Sequence, residues 1–163
     1  MMDGHLDPVG PPVQPEVDPA PPARRIVLDT NIVLDLYLFA DQAVASVRAG
    51  LADGRLHWIA TAVMREELRH VLAYAHIQSR LAYYQRSADE VLAAFDAQSE
   101  QVPVPPKVPV TCKDPDDQKF VDLAAAHQSL LLSKDRAVLR LRKRLVPWGV
   151  WTGSVWDPLA ALV

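Results

Sequence analysis

Short, wholly apolar runs alternate with stretches of helical periodicity, and this alternation limits the chain to very few folds. Arg25-Ile-Val-Leu-Asp29, Leu56 to Ala60 and Leu130-Leu-Leu-Ser133 are too short and too uniformly apolar for amphipathic helices or one-sided strands. Runs of that kind belong to strands buried on both faces. Between them, Ile32, Val33, Leu36 and Tyr37 recur at helical spacing after a Thr30-Asn31 start. Asp41 is placed to cap a second helix that stops near Gly54, and Thr61 to cap a third running through Glu67 toward Tyr74. Ser79 to about Gln98 reads as helical, with a break near Ser87. Asp114-Pro115 opens a helix to about Gln128, with proline at its favoured first position. Asp135 begins a helix from Arg136 to Leu141, and Gly149 to Thr152 reads as a last strand. The Pro-rich stretch Val102 to Val110 allows at most an edge strand, because proline cannot donate to a ladder. Strands alternating with helices predict an α/β fold: a central, mainly parallel sheet covered on both faces.

Composition sets the outer limits. Half of the 163 residues are hydrophobic, enough for one domain with a real core. The single cysteine, Cys112, forms no intrachain disulfide and no Cys-based zinc site, so a reducing cytoplasm is the expected compartment. No apolar run approaches the ~20 residues of a membrane span, and the acidic start does not read as a signal peptide. Residues 1–23 hold seven of the fourteen prolines, four acids and no Lys or Arg. Such a segment is expected to remain a disordered, polyproline-like tail, with the folded domain spanning 24–163. Without that tail, 16 acids face 17 basic residues, so the net charge of −3 says little about the body.

Several acids fall where structure alone explains them incompletely. Asp29 closes the first apolar run, the strand end where ligands of open α/β sheets bind, although a helix-capping carboxylate would look the same. Glu67 lies three after Met64 and four before Val71, beside an apolar stripe of Met64, Leu68, Val71 and Ala75. There a carboxylate needs a partner, a metal or a route to the rim. Glu66 reads as a solvated surface acid. Asp114 and Asp116 are accounted for as N-cap and first-turn acids, whereas Asp117 shares the inward face with Phe120, Val121 and Ala124. Asp135 repeats the strand-end position of Asp29, again with a capping role as the alternative. Four carboxylates converging on one cleft would repel one another unless a divalent cation lies among them, and all-oxygen donors suit Mg²⁺ or Mn²⁺.

The basic residues Lys134, Arg136, Arg140, Arg142, Lys143 and Arg144 crowd beside Asp135. They are either phosphate contacts or the solvated face of an amphipathic helix. Histidines 57, 70, 76 and 127 lack metal-ligand spacing, Cys112 reads as inert, and Trp148, Trp151 and Trp156 as packing for the C-terminal edge. Phosphate-binding glycine loops are missing, and Asp29 lacks the D-x-D pairing of a haloacid-dehalogenase-like phosphatase.

Val27-Leu-Asp-Thr-Asn31, Arg65-Glu-Glu-Leu-Arg69, Asp114-Pro-Asp-Asp-Gln-Lys-Phe120 and Leu132-Ser-Lys-Asp135 resemble, in order and spacing, the four acidic motifs of PIN domains. More narrowly, they resemble the group assigned as toxins of bacterial toxin–antitoxin pairs. The resemblance runs from about Arg24 to Val150. It implies a three-layer α/β/α sandwich and an endoribonuclease dependent on Mg²⁺ or Mn²⁺, with Asp29, Glu67, Asp117 and Asp135 as catalytic and metal-holding acids. Asn31 would support the first acid, and Lys134, Arg136 and Arg140 would meet the RNA. Gln118 stands where Asn or Asp is common, and Ser133 where Thr is usual. An antitoxin protein and a homodimer are implied partners, the latter through the Ser79 to Gln98 region or the Trp-rich C-terminal edge. The rival readings are a non-catalytic RNA- or protein-binding module on the same fold, and a metal-dependent phosphohydrolase of small phosphate esters.

Overall fold

A computed structural model describes residues 22–159 of the chain, so nearly all of the predicted N-terminal tail lies outside the described residues. Five strands form one sheet in the order β3-β2-β1-β4-β5, with every pairing parallel. They are β1 (Arg24–Leu28), β2 (Leu56–Ala60), β3 (Ser99–Gln101), β4 (Leu130–Leu132) and β5 (Trp151–Gly153). The helices are α1 (Thr30–Leu34), α2 (Ala45–Asp53), α3 (Ala62–Leu72), α4 (Ala75–Tyr83), α5 (Ala88–Gln98), α6 (Gln118–His127), α7 (Arg136–Leu139) and α8 (Arg142–Leu145). Consecutive residues Ile26, Val27 and Leu28, and likewise Leu130, Leu131 and Leu132, are all buried. Side chains alternate across a strand, so burial of every position means both faces are covered. The predicted three-layer α/β/α architecture is therefore the observed one.

Strand order decides where a site can form. From β1 the chain crosses to β2 on one side and later returns to β4 on the other, which makes the β1–β4 seam the switch point of the sheet. Leu28 is in register with Leu132, and the Asp29 N–H continues the ladder onto the Leu132 carbonyl at 3.0 Å. The loops after β1 and β4 thus leave the sheet side by side.

Local chemistry accounts for most boundaries. Thr61 caps α3 by accepting the Met64 N–H, and Ser87 caps α5 through the Glu90 N–H at 3.0 Å, which is why the helical region breaks there. Helix α2 ends at Gly54, whose φ of +82° is a conformation that glycine adopts without strain. Within α2, a Cβ on Gly50 would stand 2.8 Å from both Leu56 and Trp156, so only glycine lets this helix sit so close to β2. Beneath, Trp58 packs edge-on against Phe95 at 4.8 Å and stacks on Tyr37 at 6.2 Å.

Four expectations need correction. The helix from Thr30 widens into a π-helical turn at Asp35–Phe39, closed by Ala40 in the left-handed region. The helix predicted from Arg136 to Leu141 stops at Leu139 as α7, and a separate short helix, α8, begins at Arg142. The buried stripe of α3 is Met64, Leu68 and Leu72; Val71 is only partly buried, and Ala75 is exposed in the next helix. The edge strand is Ser99–Gln101, just ahead of the prolines.

The Pro-rich segment instead runs extended, with Val108, Val110 and Cys112 buried at alternate positions. Its prolines 103, 105, 106 and 109 lack the N–H groups a ladder needs, so side chains hold it. Asp122 is buried and its Oδ1 accepts the Val108 N–H at 3.1 Å and the Gln118 amide at 2.8 Å. Gln118 also donates to the Val110 carbonyl and accepts the Cys112 N–H. Asp122→Ala leaves two donors without a partner and is expected to cost about 2 kcal/mol in urea unfolding. Amide exchange at Val108 should rise with it; unchanged protection there would mean that Asp122 does not hold the segment.

Candidate active site

Asp29 follows β1 and caps α1, its Oδ1 accepting the Asn31 N–H at 3.0 Å. Its Oδ2 accepts the Ser133 hydroxyl at 2.6 Å, and the Ser133 Oγ in turn accepts the Asp135 N–H at 3.0 Å. One hydroxyl therefore fastens the end of β1 to the loop after β4. Asp29 is 3% exposed. Burial raises its pKa above the usual carboxylate value, the bonds from Ser133 and Asn31 pull it back, and the charge of Asp135 pushes it up again.

Asp117 lies in the 3₁₀ turn Pro115–Asp117 that leads into α6 and is 7% exposed. Its Oδ2 is buried with no hydrogen-bond partner among the described residues. Burial pushes its pKa up to about 8, with further increments from contact with Asp135 and from the charges of Asp29, Asp135 and Asp114. Contact between two carboxyl groups is a hydrogen bond only while one of them carries a proton. Oxygens of Asp114, Asp117 and Asp135 all lie within 4.8 Å of one another. Asp114 holds its place by accepting the Asp116 N–H at 3.0 Å, and Asp135 by accepting the Ala137 N–H at 2.8 Å.

The residues singled out from sequence thus separate into groups. Asp117 and Asp135 sit in the oxygen cluster, and Asp29 is tied to it through Ser133 and through mutual charge. Glu67 stands apart from the three-acid cluster: its Oε2 is 2.7 Å from Lys119 Nζ, both side chains being largely shielded. The Asn31 side chain is exposed, and its backbone N–H makes the contact with Asp29. Lys134 pairs at 2.6 Å with Asp35, a buried acid at the start of the π-helical turn. Arg136 and Arg140 are exposed on α7 and its end, and neither has an ion-pair partner among the described residues.

Sequence reasoning passed over Asp114, Lys119 and Asp35. Asp114 looked complete as a helix cap, and it is one, but a cap uses a single oxygen and leaves the carboxylate free for other work. Asp35 could have been flagged as an acid interrupting the apolar row Ile32, Val33, Leu34 and Leu36. Nothing local singles out Lys119. Trp156 is buried as expected, Trp151 partly so, and Trp148 is exposed.

The donor set fits a hard divalent cation. It consists of carboxylate oxygens, it contains a buried oxygen lacking any donor, and its mutual repulsion is of the kind that such an ion relieves. Among known proteins, a family model for the PIN domain matches residues 25–137. No curated protein and no solved structure matches the chain.

Proposed function

This chain belongs to the PIN-domain family, whose members are generally nucleases, and we propose that it is an endoribonuclease dependent on Mg²⁺ or Mn²⁺. One observation supports this most: Asp114, Asp117 and Asp135 offer oxygens within 4.8 Å of one another at the switch point of the sheet, and one oxygen of Asp117 has no partner. Asp114, Asp117 and Asp135 would hold the ion, with Asp29 beside them. Bound there, a divalent ion neutralises charge on a phosphodiester and makes water a better nucleophile at neutral pH.

The chain's own groups do the rest. Ser133 keeps Asp29 aimed at the cluster while its hydroxyl takes the Asp135 N–H, so the two strand-end acids hold one relative position. Lys119, paired with Glu67, adds positive charge that is felt at Asp29. In this reading Glu67 works by holding Lys119. Arg136 follows Asp135 directly and Arg140 ends the short helix α7 that Asp135 caps, and the two carry the phosphates flanking the scissile bond. Lys134 is held back by Asp35, so it steadies the loop as much as it meets substrate. Hydrolysis would leave a 5′-phosphate and a 3′-hydroxyl.

The narrower likeness of the four motifs to toxin sequences extends the proposal to a toxin–antitoxin pair acting in the cytoplasm, with an antitoxin segment covering the acids and a homodimer of this chain. Residues 24–163 would form the nuclease domain. Among the described residues, no helix is long and apolar enough to cross a membrane.

Purified protein should cut single-stranded RNA with Mn²⁺ and stop when the metal is chelated, while a generic phosphate monoester is left intact. Turnover of the monoester without RNA cleavage would replace this reading with a small-ester phosphohydrolase. Binding of RNA without any cutting would indicate a non-catalytic module.

A further inference from the structure

Beside the acid cluster lies an open groove of about 720 Å³, lined by Val63, Glu66, Glu67 and Tyr74 from α3 and the turn after it, by Asp116 from the 3₁₀ turn and by Lys119 from the start of α6. It belongs to the same site by construction. Asp116 lies in the chain between two members of the cluster, and Lys119, which donates to the Asp116 carbonyl, also pairs with Glu67 and is felt at Asp29. The phosphodiester reading gives this groove no task.

Its lining mixes the apolar Val63 and Tyr74 with three acids and with Lys119 and His70. Val63 is 51% exposed and Tyr74 is 52% exposed, so both are open to a ligand in the groove. Tyr74 is already half of a stack, lying 5.9 Å from the His76 ring at an interplanar angle of 28°, so one face of the phenol is fixed flat. Of the acids, Glu66 is taken by Arg69 at 2.5 Å and by His70 at 3.1 Å, and Glu67 by Lys119 at 2.7 Å. The Asp116 carboxylate alone in the groove has no partner among the described residues.

A carboxylate without a partner that lines the same groove as an exposed ring suits a flat group with N–H donors on its edge. Guanine presents two adjacent donors there, N1–H and the N2 amine, which one carboxylate accepts together; uracil and adenine do not offer that pair. A guanidinium ion has the same donor edge, but beside a site that cuts RNA the flat group presented to the groove is a base. We propose that this groove is a base-specific subsite, in which Tyr74 stacks on an unpaired guanine next to the cleaved phosphodiester and Asp116 accepts its N1–H and N2–H. The inference rests on the endoribonuclease reading for its substrate, and on the groove for its specificity.

Binding separates the two. Fluorescence anisotropy in Ca²⁺ compares three labelled single-stranded oligouridylates, carrying one central guanosine, one inosine or neither, with RNA integrity checked on a gel. Inosine keeps N1–H and lacks the N2 amine, so it should bind about tenfold more weakly than guanosine. Asp116→Asn should erase that difference. Tyr74→Ala should weaken both oligomers at least about fivefold, and Tyr74→Phe should restore them, since the ring does the stacking. Both side chains are exposed and circular dichroism verifies the fold. Equal binding of guanosine and inosine by the unaltered protein overturns the subsite. So does an arginine-bearing peptide that binds in an Asp116-dependent way while RNA shows no base preference. Guanosine preference without cleavage in Mn²⁺ overturns the nuclease reading and keeps the subsite; cleavage with no preference does the reverse. Failure to bind RNA at all overturns both.

Discussion

Asp117→Asn is expected to reduce Mn²⁺-dependent RNA cleavage by about a thousandfold or more while leaving the protein folded. Asparagine has nearly the shape of aspartate, so the 3₁₀ turn before α6 persists. What changes is charge. Asp117 is the most enclosed of the three clustered acids, and its Oδ2 has no donor to satisfy it, so it is the oxygen most in need of a cation. The substituted amide brings an N–H₂ group toward Asp135, satisfying in the metal-free state what a divalent ion satisfies in the native protein. Calorimetric titration should therefore show Mn²⁺ affinity lost together with activity. Asp114→Asn should behave similarly but more mildly, since Asp114 is less buried and also serves as a cap. Asp89→Asn, an exposed acid of the first turn of α5, is the control and should leave both readouts unchanged. An Asp117→Asn protein with undiminished cleavage would remove Asp117 from the site, and the function proposed above would lose its main support.

The parts of this molecule that could be read without coordinates are those that local physics dictates. Runs of apolar residues such as Ile26 to Leu28 and Leu130 to Leu132 announce doubly covered strands, and Thr61, Ser87 and Gly54 announce helix ends, because period and capping are properties of neighbouring residues. Asp29 and Asp135 were visible as strand-end acids for the same reason. The misses have a common cause: they depend on pairings between distant segments. Lys119 and Glu67 come together from α6 and α3, and Asp35 and Lys134 from either side of the β1–β4 seam. No periodicity encodes such pairs. Asp114 was a different kind of miss, since a carboxylate that caps a turn and one that holds a cation occupy the same place in the sequence. The π-helical turn at Asp35–Phe39 breaks the 3.6-residue rule from which it would have to be inferred. The proline stretch kept its alternation of buried residues but has no ladder, and the edge strand forms at Ser99–Gln101, where every residue has an N–H to give.

Metal-free protein should become less stable as the pH rises from about 4 to about 8, the opposite of what paired carboxylates usually produce. The sign follows from Asp117. In the unfolded chain its carboxyl titrates near the ordinary value of 3.8, and in the folded protein near 8. Between those values the native state holds a proton that the unfolded state has released, so each step upward in pH favours unfolding, and the contribution present below pH 4 is gone above pH 8. Asp29, whose pKa is also raised by burial, acts in the same direction. A divalent cation should reverse the trend, because it takes the proton's place among the oxygens and binds better the more fully they are ionised. At a free Mn²⁺ concentration a hundred times its dissociation constant, stabilisation by mass action is about 2.7 kcal/mol, or roughly 5–10 °C in Tm for a chain of this size. The gain should be larger at pH 8 than at pH 5. Titrations near pH 7 in buffers of different ionisation enthalpy should report about one proton released per ion bound. In Asp117→Asn the metal-free decline should flatten and the proton release should vanish. A metal-free Tm that climbs steadily from pH 4 to pH 8 would show that Asp117 ionises freely in the folded protein, and that its neighbours do not crowd it enough to require a cation.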